Sequence, residues 1–313
     1  DIGTLMINKA AIFRINPSVS ANDILSHVFQ DEFLFREDGF KSNNERMIVG
    51  FTKFDEEQDF LNIQDYVGVK FKKQEKVLPK NHINEKLKQK VEQIQKNENR
   101  VVGRKEKQEL KETIIQEMLP HAFIETSYIS FYFDFKNHFM YIDNTSEKKY
   151  EIPLSLLLRS DLFELNPRQL FYTESFGSTM RDKLLSDWFN SDENDTLLNT
   201  SNACIIEFGA DGDSSVPTIG VKNLNLLSED VLNTLNKGDR FINSMDMTLG
   251  DEVSFKVNDK LLFSNIKNER TKRKFNPQEE TIQDYNHSML IITMDSIHNI
   301  IESLEHVLGK IVD

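Results

Sequence analysis

Cysteine is almost absent from this chain, with one residue, Cys204, in 313. A single thiol builds no disulfide framework, so a packed apolar core must hold the fold, and a reducing cytoplasm is the expected compartment. Cys204 lies in the apolar run ACIIEF, where a buried structural thiol is expected rather than a nucleophile. No run reaches the ~18 consecutive apolar residues that would span a bilayer, so no membrane partner is expected. No long apolar stretch follows Asp1, so no signal peptide is expected either. Prolines form no linker, and no segment repeats. The seven histidines make no HExxH and sit near no cysteine pair, which removes the common zinc signatures. His121 reads as a partly exposed turn residue, and His298 and His306 as surface residues of a C-terminal helix. Gly209–Ser215 (GADGDSS) lacks the Lys-Ser/Thr of a phosphate loop and the length of a calcium loop, and reads as a surface loop. No metal and no cofactor are expected.

The composition is nevertheless that of a globular protein, with 38% hydrophobic residues and 23 Phe. Its length allows two or three domains. The net charge is -13, yet charge is unevenly spread. Lys70–Glu112 carries 14 Lys/Arg against 7 Asp/Glu, a net of +7, which leaves the remainder near -20. Most charge runs are solvated faces, but a basic segment in an acidic chain also suits a local anionic partner, nucleic acid first.

Apolar spacing divides the chain. Ala10–Ile15, Met47–Phe54 and Tyr66–Lys72 read as strands. In the third, Val67, Val69 and Phe71 alternate with Gly68 and Lys70, which predicts one buried face and places Lys70 and Lys72 on an exposed one. Ser20–Phe29 reads as a helix capped by Ser20. After Pro79, Ile83, Leu87, Val91 and Ile94 form one helical stripe, and Leu110, Ile114, Ile115 and Met118 another, stopped by Pro120. With Gly103 in the polar turn between them, they predict an antiparallel helical hairpin that projects from the body. Tyr128–Phe135 and Phe139–Ile142 predict a strand hairpin. Ile152–Leu158 reads as the start of a helix or a buried strand, Lys183–Phe189 and Ser228–Leu235 as helical, and Cys204–Phe208 and Ser244–Thr248 as strands. Val253–Val257 and Leu261–Ile266 predict a hairpin around Asn258-Asp259. Met289–Thr293 reads as a strand and Asp295–Leu308 as a helix closed by Gly309. The irregular mixture favours an α+β class: a central sheet domain, a projecting antiparallel helical hairpin and a C-terminal mixed α/β domain.

The order of these pieces resembles a known family. VLP at Val77–Pro79, the lysine-rich helix, KQELKETIIQEMLP and the closing LPHAF at Leu119–Phe123 are similar to the RdgC family of bacterial recombination-associated DNA-binding proteins. Fainter likeness extends through LMINKAAIFRI (Leu5–Ile15), YISFYFDFKNHFMYIDNTSEKK, Leu154–Leu162, Met180–Phe189, Val221–Asp230 and the C-terminal MLIITMDSIHNIIESLEHVLG. Residues 191–215 match poorly, and at Lys222-Asn223 only one of two expected basic residues is present. The resemblance implies a central domain of residues 1–76 and 116–185, a hairpin tip of 77–115 and a C-terminal base of 186–313. It implies sequence-nonspecific binding of double-stranded DNA by a ring-shaped homodimer that encircles DNA and restrains a RecA-type recombinase, in the cytoplasm and at the nucleoid. It also implies that Phe123 contacts the second subunit, where the bland alternative is a core Phe.

The residues expected to meet phosphates are Lys70, Lys72, Lys73, Lys76 and Lys80 before the hairpin and Arg100, Arg104, Lys105 and Lys107 at its tip. Lys222 belongs to a separate loop. Arg270, Lys272, Arg273 and Lys274, with Lys267, form a late cluster. Such cations position DNA without reading its sequence. No catalytic residue is expected. Two rivals remain on the sequence: an acidic module that mimics DNA and engages a DNA-processing enzyme, supported by the net charge, and a metal-dependent nuclease built on Asp134 and Asp143.

Overall fold

A computed structural model of the protein describes residues 5–159, 164–208 and 217–312. The loop Gly209–Ser215 lies outside the described residues. Within them stand seven helices and two antiparallel sheets, a mixed α+β fold.

The first sheet is built from β1 (Ala11–Arg14), β2 (Met47–Thr52), β3 (Leu61–Ile63), β4 (Tyr66–Val77), β5 (Phe123–Asp134), β6 (Phe139–Ile142) and β7 (Arg168–Gln169). Its order is β2-β4-β5-β6-β1-β7, with β3 paired to β4. Side chains alternate across the sheet, so β1, β4, β5 and β6 each feed two cores. Val67, Val69, Phe71, Ile129, Phe131 and Phe133 point to one, covered by α1 (Ala21–Val28) and α4 (Glu147–Leu157). Tyr66, Tyr132, Tyr141 and Ile12 point to the other. There they meet the long α7 (Ile282–Leu308) and the second sheet. That sheet, ordered β12-β11-β10-β8-β9, comprises β8 (Leu198–Phe208), β9 (Thr218–Lys222), β10 (Arg240–Leu249), β11 (Val253–Asn258) and β12 (Phe263–Asn268). Helices α5 (Phe176–Leu185) and α6 (Glu229–Leu235) pack against β10.

Hydrogen bonds tie the first sheet and the segment leading into it to the second sheet and to α7. The backbone of Ala10 exchanges hydrogen bonds with Phe263 in both directions, at 2.8 and 3.0 Å. The Tyr66 hydroxyl donates to the Asp295 carboxylate of α7 at 2.7 Å.

Helix α1 starts as expected, with a reciprocal capping box. The Asp23 amide donates to the Ser20 hydroxyl, and the Ser20 amide donates to the Asp23 carboxylate at 2.7 Å. Other expectations change. Met289–Thr293 is helix, not strand. The branched run MLIIT looks like a strand in isolation, but Tyr285, Met289, Met294, Ile297, Ile301 and Leu304 carry one buried helical stripe through it. The late hairpin turns over more residues than Asn258-Asp259. The side-chain oxygen of Asn258 accepts from both Lys260 N and Leu262 N, and Leu261 takes φ +55° in the turn, so β12 begins at Phe263. Lys183–Phe189 is not one helix: α5 ends at Leu185, and Asp187, at φ +52°, starts a separate 3-10 turn at Trp188. Strands β8 and β10 are longer than read, and β3 and β9 carry too few apolar residues to be seen.

One close approach fixes the start of the fold. The chain at Leu34–Phe35 runs beside β2, and Phe35 N donates to Phe51 O at 2.8 Å. A Cβ at Gly50 would collide with the backbone of Leu34 and Phe35. Backbone on both sides leaves nothing flexible to yield, so Gly50→Ala is expected to cost at least about 1–3 kcal/mol. A urea titration should show a lowered midpoint; an unchanged midpoint would mean that the Leu34–Phe35 segment is not held there.

Candidate nucleic-acid interface

Strands β4 and β5 pair over twelve residues without a slip, from Tyr66↔Asp134 to Val77↔Phe123. The half near Tyr66 lies in the two cores. The other half leaves them: in β5 the first six residues are exposed and the last six buried. This ribbon carries the hairpin of α2 (Lys80–Glu98) and α3 (Arg104–Met118). The two helices meet through the buried Ile83 and Ile114, and Val102 closes the turn between them. The Lys90 ammonium bridges to Glu117 at 3.0 Å. The first helix, of 19 residues, is ~28 Å long.

The expected cations fall into two groups. Those of the ribbon are engaged by the protein itself. Lys70 and Lys72 do not share an exposed face. The Lys70 ammonium donates to Phe54 O and lies 4.8 Å from the Phe54 ring centroid, and desolvation lowers its pKa. Lys72, with a side chain 13% exposed, pairs with Glu37 at 2.9 Å and covers the Phe35 ring. The sequence pattern missed this because irregular loops 34–43 and 53–55, which carry Phe35 and Phe54, cover that face of β4. Lys73 pairs with Glu75 at 2.6 Å, and Lys76 donates to Asn43 O at 3.0 Å over the Phe40 ring. At the tip Arg100 is held by Glu98 and Glu106, at 2.5 and 2.6 Å, and these hydrogen bonds push its pKa up and that of Glu106 down. In the late cluster Lys272 pairs with Glu269 at 2.6 Å, and Arg273 pairs with Glu280 over the Tyr285 ring.

The second group stands in solvent with no side-chain partner among the described residues: Lys80 at the hairpin base, Arg104, Lys105 and Lys107 in the first turn of α3, Lys222 at the end of edge strand β9, and Lys267, Arg270 and Lys274 near β12. Lys148 and Lys149, missed by the sequence reading, overhang the ribbon from the first turn of α4. With Lys73, Glu75, Glu125 and Tyr128 they line a cleft of about 290 Å³. Their signal was the Lys-Lys pair directly after the strand hairpin.

Phe123 is not a core residue. It is 76% exposed, and Ile124 and Tyr128 beside it are each 55% exposed. Strand β6 pairs with β5 only over Phe131–Asp134, so residues 123–129 have no strand on their outer edge among the described residues. An open edge bearing large apolar side chains is an association surface in the making.

The nuclease rival fails on geometry. Asp134 is fully buried, and its oxygens accept from Lys136 N, Asn137 N, the Asn137 amide and the Tyr141 hydroxyl. Asp143 lies beside Ser130, whose amide donates to it at 2.9 Å. Ser130 and Asp134 are four residues apart on β5, hence ~13 Å, too far to share one ion. No group of three or more His, Cys, Asp or Glu among the described residues could hold a metal. Burial pushes the Cys204 thiol up to about 12, which keeps it protonated. His306 is at the surface beside Asp195, whereas His298, expected there too, packs over the Phe139 ring. No helix among the described residues is long and apolar enough to cross a membrane.

These features define a class: an α+β protein that presents a cation-tipped helical hairpin and an apolar strand edge on one ribbon. A family model described as "Putative exonuclease, RdgC" matches residues 6–311. The chain belongs to the RdgC family. It is 30% identical over 201 residues to a protein of Psychromonas ingrahamii, covering 63% of this chain and 62% of that one. A Pasteurella multocida protein is 29% identical over 195 residues, covering 62% and 61%. A Neisseria meningitidis serogroup B protein is 32% identical over 187 residues, covering 60% and 59%. The name of all three is "Recombination-associated protein RdgC". The match thus spans about three-fifths of these relatives' length, and the family description and the relatives' name differ on whether an enzyme is meant.

Burial raises the pKa of Asp143 above its ordinary 3.8, against the opposing pull of the Ser130 amide, Lys9 and Lys70. A raised folded pKa means that the carboxyl stabilises the fold most when protonated, and that this benefit is lost as pH rises. Asp143→Asn keeps an acceptor for Ser130 N and removes the buried charge. The variant should therefore be more stable than the parent at pH 7, and the gain should shrink as pH falls towards 3.8. Urea midpoints of both proteins across that range check this; a variant less stable at pH 7 would mean that the charge is favourably paired.

Proposed function

We propose that this protein is a recombination-associated binder of double-stranded DNA, indifferent to sequence, that acts as a ring-shaped homodimer around the duplex and restrains a RecA-type recombinase at the nucleoid. The relatives' name supports the link to recombination. The observation that carries duplex binding is the hairpin tip: Arg104, Lys105 and Lys107 lie exposed and without side-chain partners among the described residues, in a chain of net charge -13. Negative potential over the rest of the surface repels DNA except where such cations gather. Lys80, Lys222, Arg270 and Lys274 are further phosphate contacts on this reading. Arg100, Lys272 and Arg273 join them at little cost, because exposed ion pairs are worth little and a phosphate can replace the carboxylate. Lys70, Lys72, Lys73 and Lys76 contribute to the local potential more than to direct contacts. Self-association uses the open β5 edge, with Phe123 as its anchor.

Affinity for random duplex should fall steeply with salt. Changing Arg104, Lys105 and Lys107 together to Glu should reduce the log–log salt slope by roughly 2.7, about 0.9 for each phosphate no longer neutralised. Stability should move by no more than ~0.5 kcal/mol, because these side chains stand in solvent. A triple variant that binds as tightly as the parent would remove the tip from the interface.

Phe123→Ala should leave the fold intact, since the ring is exposed, and weaken dimers by about 2–4 kcal/mol if it is an interface anchor. Sedimentation across a dilution series reads this directly. Unchanged dimer mass at every concentration would show that the β5 edge is not the contact.

A further inference from the structure

The cleft beside the first turn of α4 is used by neither proposed interface. Its floor is three cross-strand pairs of β4 and β5: Phe71 with Ile129, Lys73 with Ser127 and Glu75 with Glu125. Alternate residues share one face of a sheet, so the floor changes character in steps. It is apolar and buried at the first pair, cationic and hydroxyl-bearing at the second, and acidic at the third. From Ile129 to Glu125 it runs ~13 Å along β5.

The overhanging wall stands at the apolar end. There Ser130 N donates to the Asp143 carboxylate at 2.9 Å and Asp143 N donates to Ser130 O at 3.2 Å, which sets Asn144 beside Ile129. Lys148 and Lys149 are exposed and have no side-chain partner among the described residues. Glu147 of the same turn lines a different cleft, with Tyr150 and Phe171. Asn144 is only 9% exposed, lines the cleft and is half satisfied. Its Oδ1 accepts from Ser146 N at 2.9 Å, while its NH2 has no partner among the described residues. Such a held donor is open to an acceptor placed in the cleft. The amides of Glu147 and Lys148, which open α4, have no intrahelical partner either.

Donors and positive charge thus converge at one end, and carboxylates stand at the other. Lys73 offsets Glu75 through their pair at 2.6 Å, and Glu125 has no ion-pair partner among the described residues. This polarity fits a ligand with an anion at one end and hydrogen-bond donors at the other. The volume of about 290 Å³ is near the lower limit of the ~300–1,000 Å³ of small-molecule sites. The floor is a face of the sheet, whereas an added strand would pair with the in-plane edge of β5, so the cleft suits a small ligand rather than a peptide strand.

We propose that this cleft binds a nucleoside monophosphate, its phosphate held by Lys148, Lys149 and the Asn144 NH2, its base or ribose donors directed to Ser127 and Glu125. A free nucleotide and the 5′-phosphorylated terminal nucleotide of a strand both present this chemistry. The site depends neither on the hairpin tip contacting DNA nor on Phe123 joining subunits, because a free nucleotide alone is a sufficient probe.

Calorimetric titration of the full chain with adenosine monophosphate should show binding, tighter than that of inorganic phosphate. Changing Lys148 and Lys149 together to Gln should weaken it about 10-fold or more through loss of charge-assisted hydrogen bonds. Asn144→Asp keeps the acceptor for Ser146 N and the side-chain shape but replaces the free donor with a negative charge, and should weaken it as well. Glu125→Gln should leave phosphate binding undiminished while narrowing the advantage of the nucleotide over phosphate. The variant with Arg104, Lys105 and Lys107 changed to Glu should bind the nucleotide like the parent, which separates this site from the duplex interface. Oligonucleotides with 5′-phosphate and 5′-hydroxyl ends then distinguish the sources. A preference for the phosphorylated end that the Lys148→Gln/Lys149→Gln variant abolishes assigns the cleft to strand termini, and equal affinity for both assigns it to the free nucleotide. Three results overturn the proposal: a parent that binds no nucleotide, a nucleotide bound no tighter than phosphate, or a Lys148→Gln/Lys149→Gln variant that binds it as well as the parent.

Discussion

The pairing of β4 with β5 is the constraint on which the rest of the structure depends. Twelve consecutive partners lock the register, and the side-chain period of two then decides everything on either face. Val67, Val69 and Phe71 must enter one core if Tyr66 is to reach Asp295 in the other. A slip of one residue would exchange the two sets, exposing the phenylalanines to α7 and burying Lys70 and Lys72 under α4. Such an exchange would place buried charges without partners, among the most costly errors a core can contain. The fully buried Tyr132 and Phe131, adjacent on β5 but assigned to different cores, show how finely that alternation is used.

The same pairing continues where there is no core to support it. From Gln74 to Val77 and from Phe123 to Thr126 the partners are half-buried or exposed, and the cross-strand pairs become polar or edge-like. What keeps this stretch extended is β2, which follows β4 as far as Met47↔Glu75, together with the local polar contacts of Lys73 and Lys76. These lysines brace the stalk, and the cations left unpaired lie beyond it, at Lys80 and at the start of α3. The lysines of β4 are engaged in structure, and at the tip Arg100 is paired while Arg104, Lys105 and Lys107 are left in solvent. That division follows from distance to the acidic loops: Glu37 reaches Lys72, while no acidic loop among the described residues reaches Arg104, Lys105 or Lys107.

Much of this was legible in the sequence where periodicity and local chemistry agree. The two helical stripes, the Ser20 cap and the alternation through Val67–Phe71 are all local signals, and each appears where its spacing places it. The α+β class followed from their mixture, and the family from their order. What failed was non-local. Met289–Thr293 reads as a strand until its neighbours on α7 are seen to share one buried stripe. Lys70 and Lys72 read as exposed because the covering loops carry no periodic pattern. Lys73, Arg100 and Arg273 read as free cations because their carboxylates, Glu75, Glu98 with Glu106, and Glu280, gain meaning only once the backbone brings them within hydrogen-bond distance. The exposure of Phe123 is also a tertiary fact, since it depends on β6 ending its pairing at Phe131.

The ribbon also ties two proposed activities to one mechanical element. Val77 leads through Pro79 into α2, and its strand partner is Phe123. The hairpin base and the open edge are therefore a single residue pair apart. An edge that gains a partner strand there would stiffen the stalk, because the exposed backbone groups of residues 123–129 would be paired on both sides. A stiffer stalk holds Arg104, Lys105 and Lys107 in a narrower range of positions, and less conformational freedom is then lost when they meet phosphates. On the proposed reading, self-association and DNA contact reinforce each other through β4 and β5 without any direct touch between the two surfaces. On the same reading the acidic remainder of the chain adds the opposing force, keeping DNA away from faces that carry no exposed Lys/Arg.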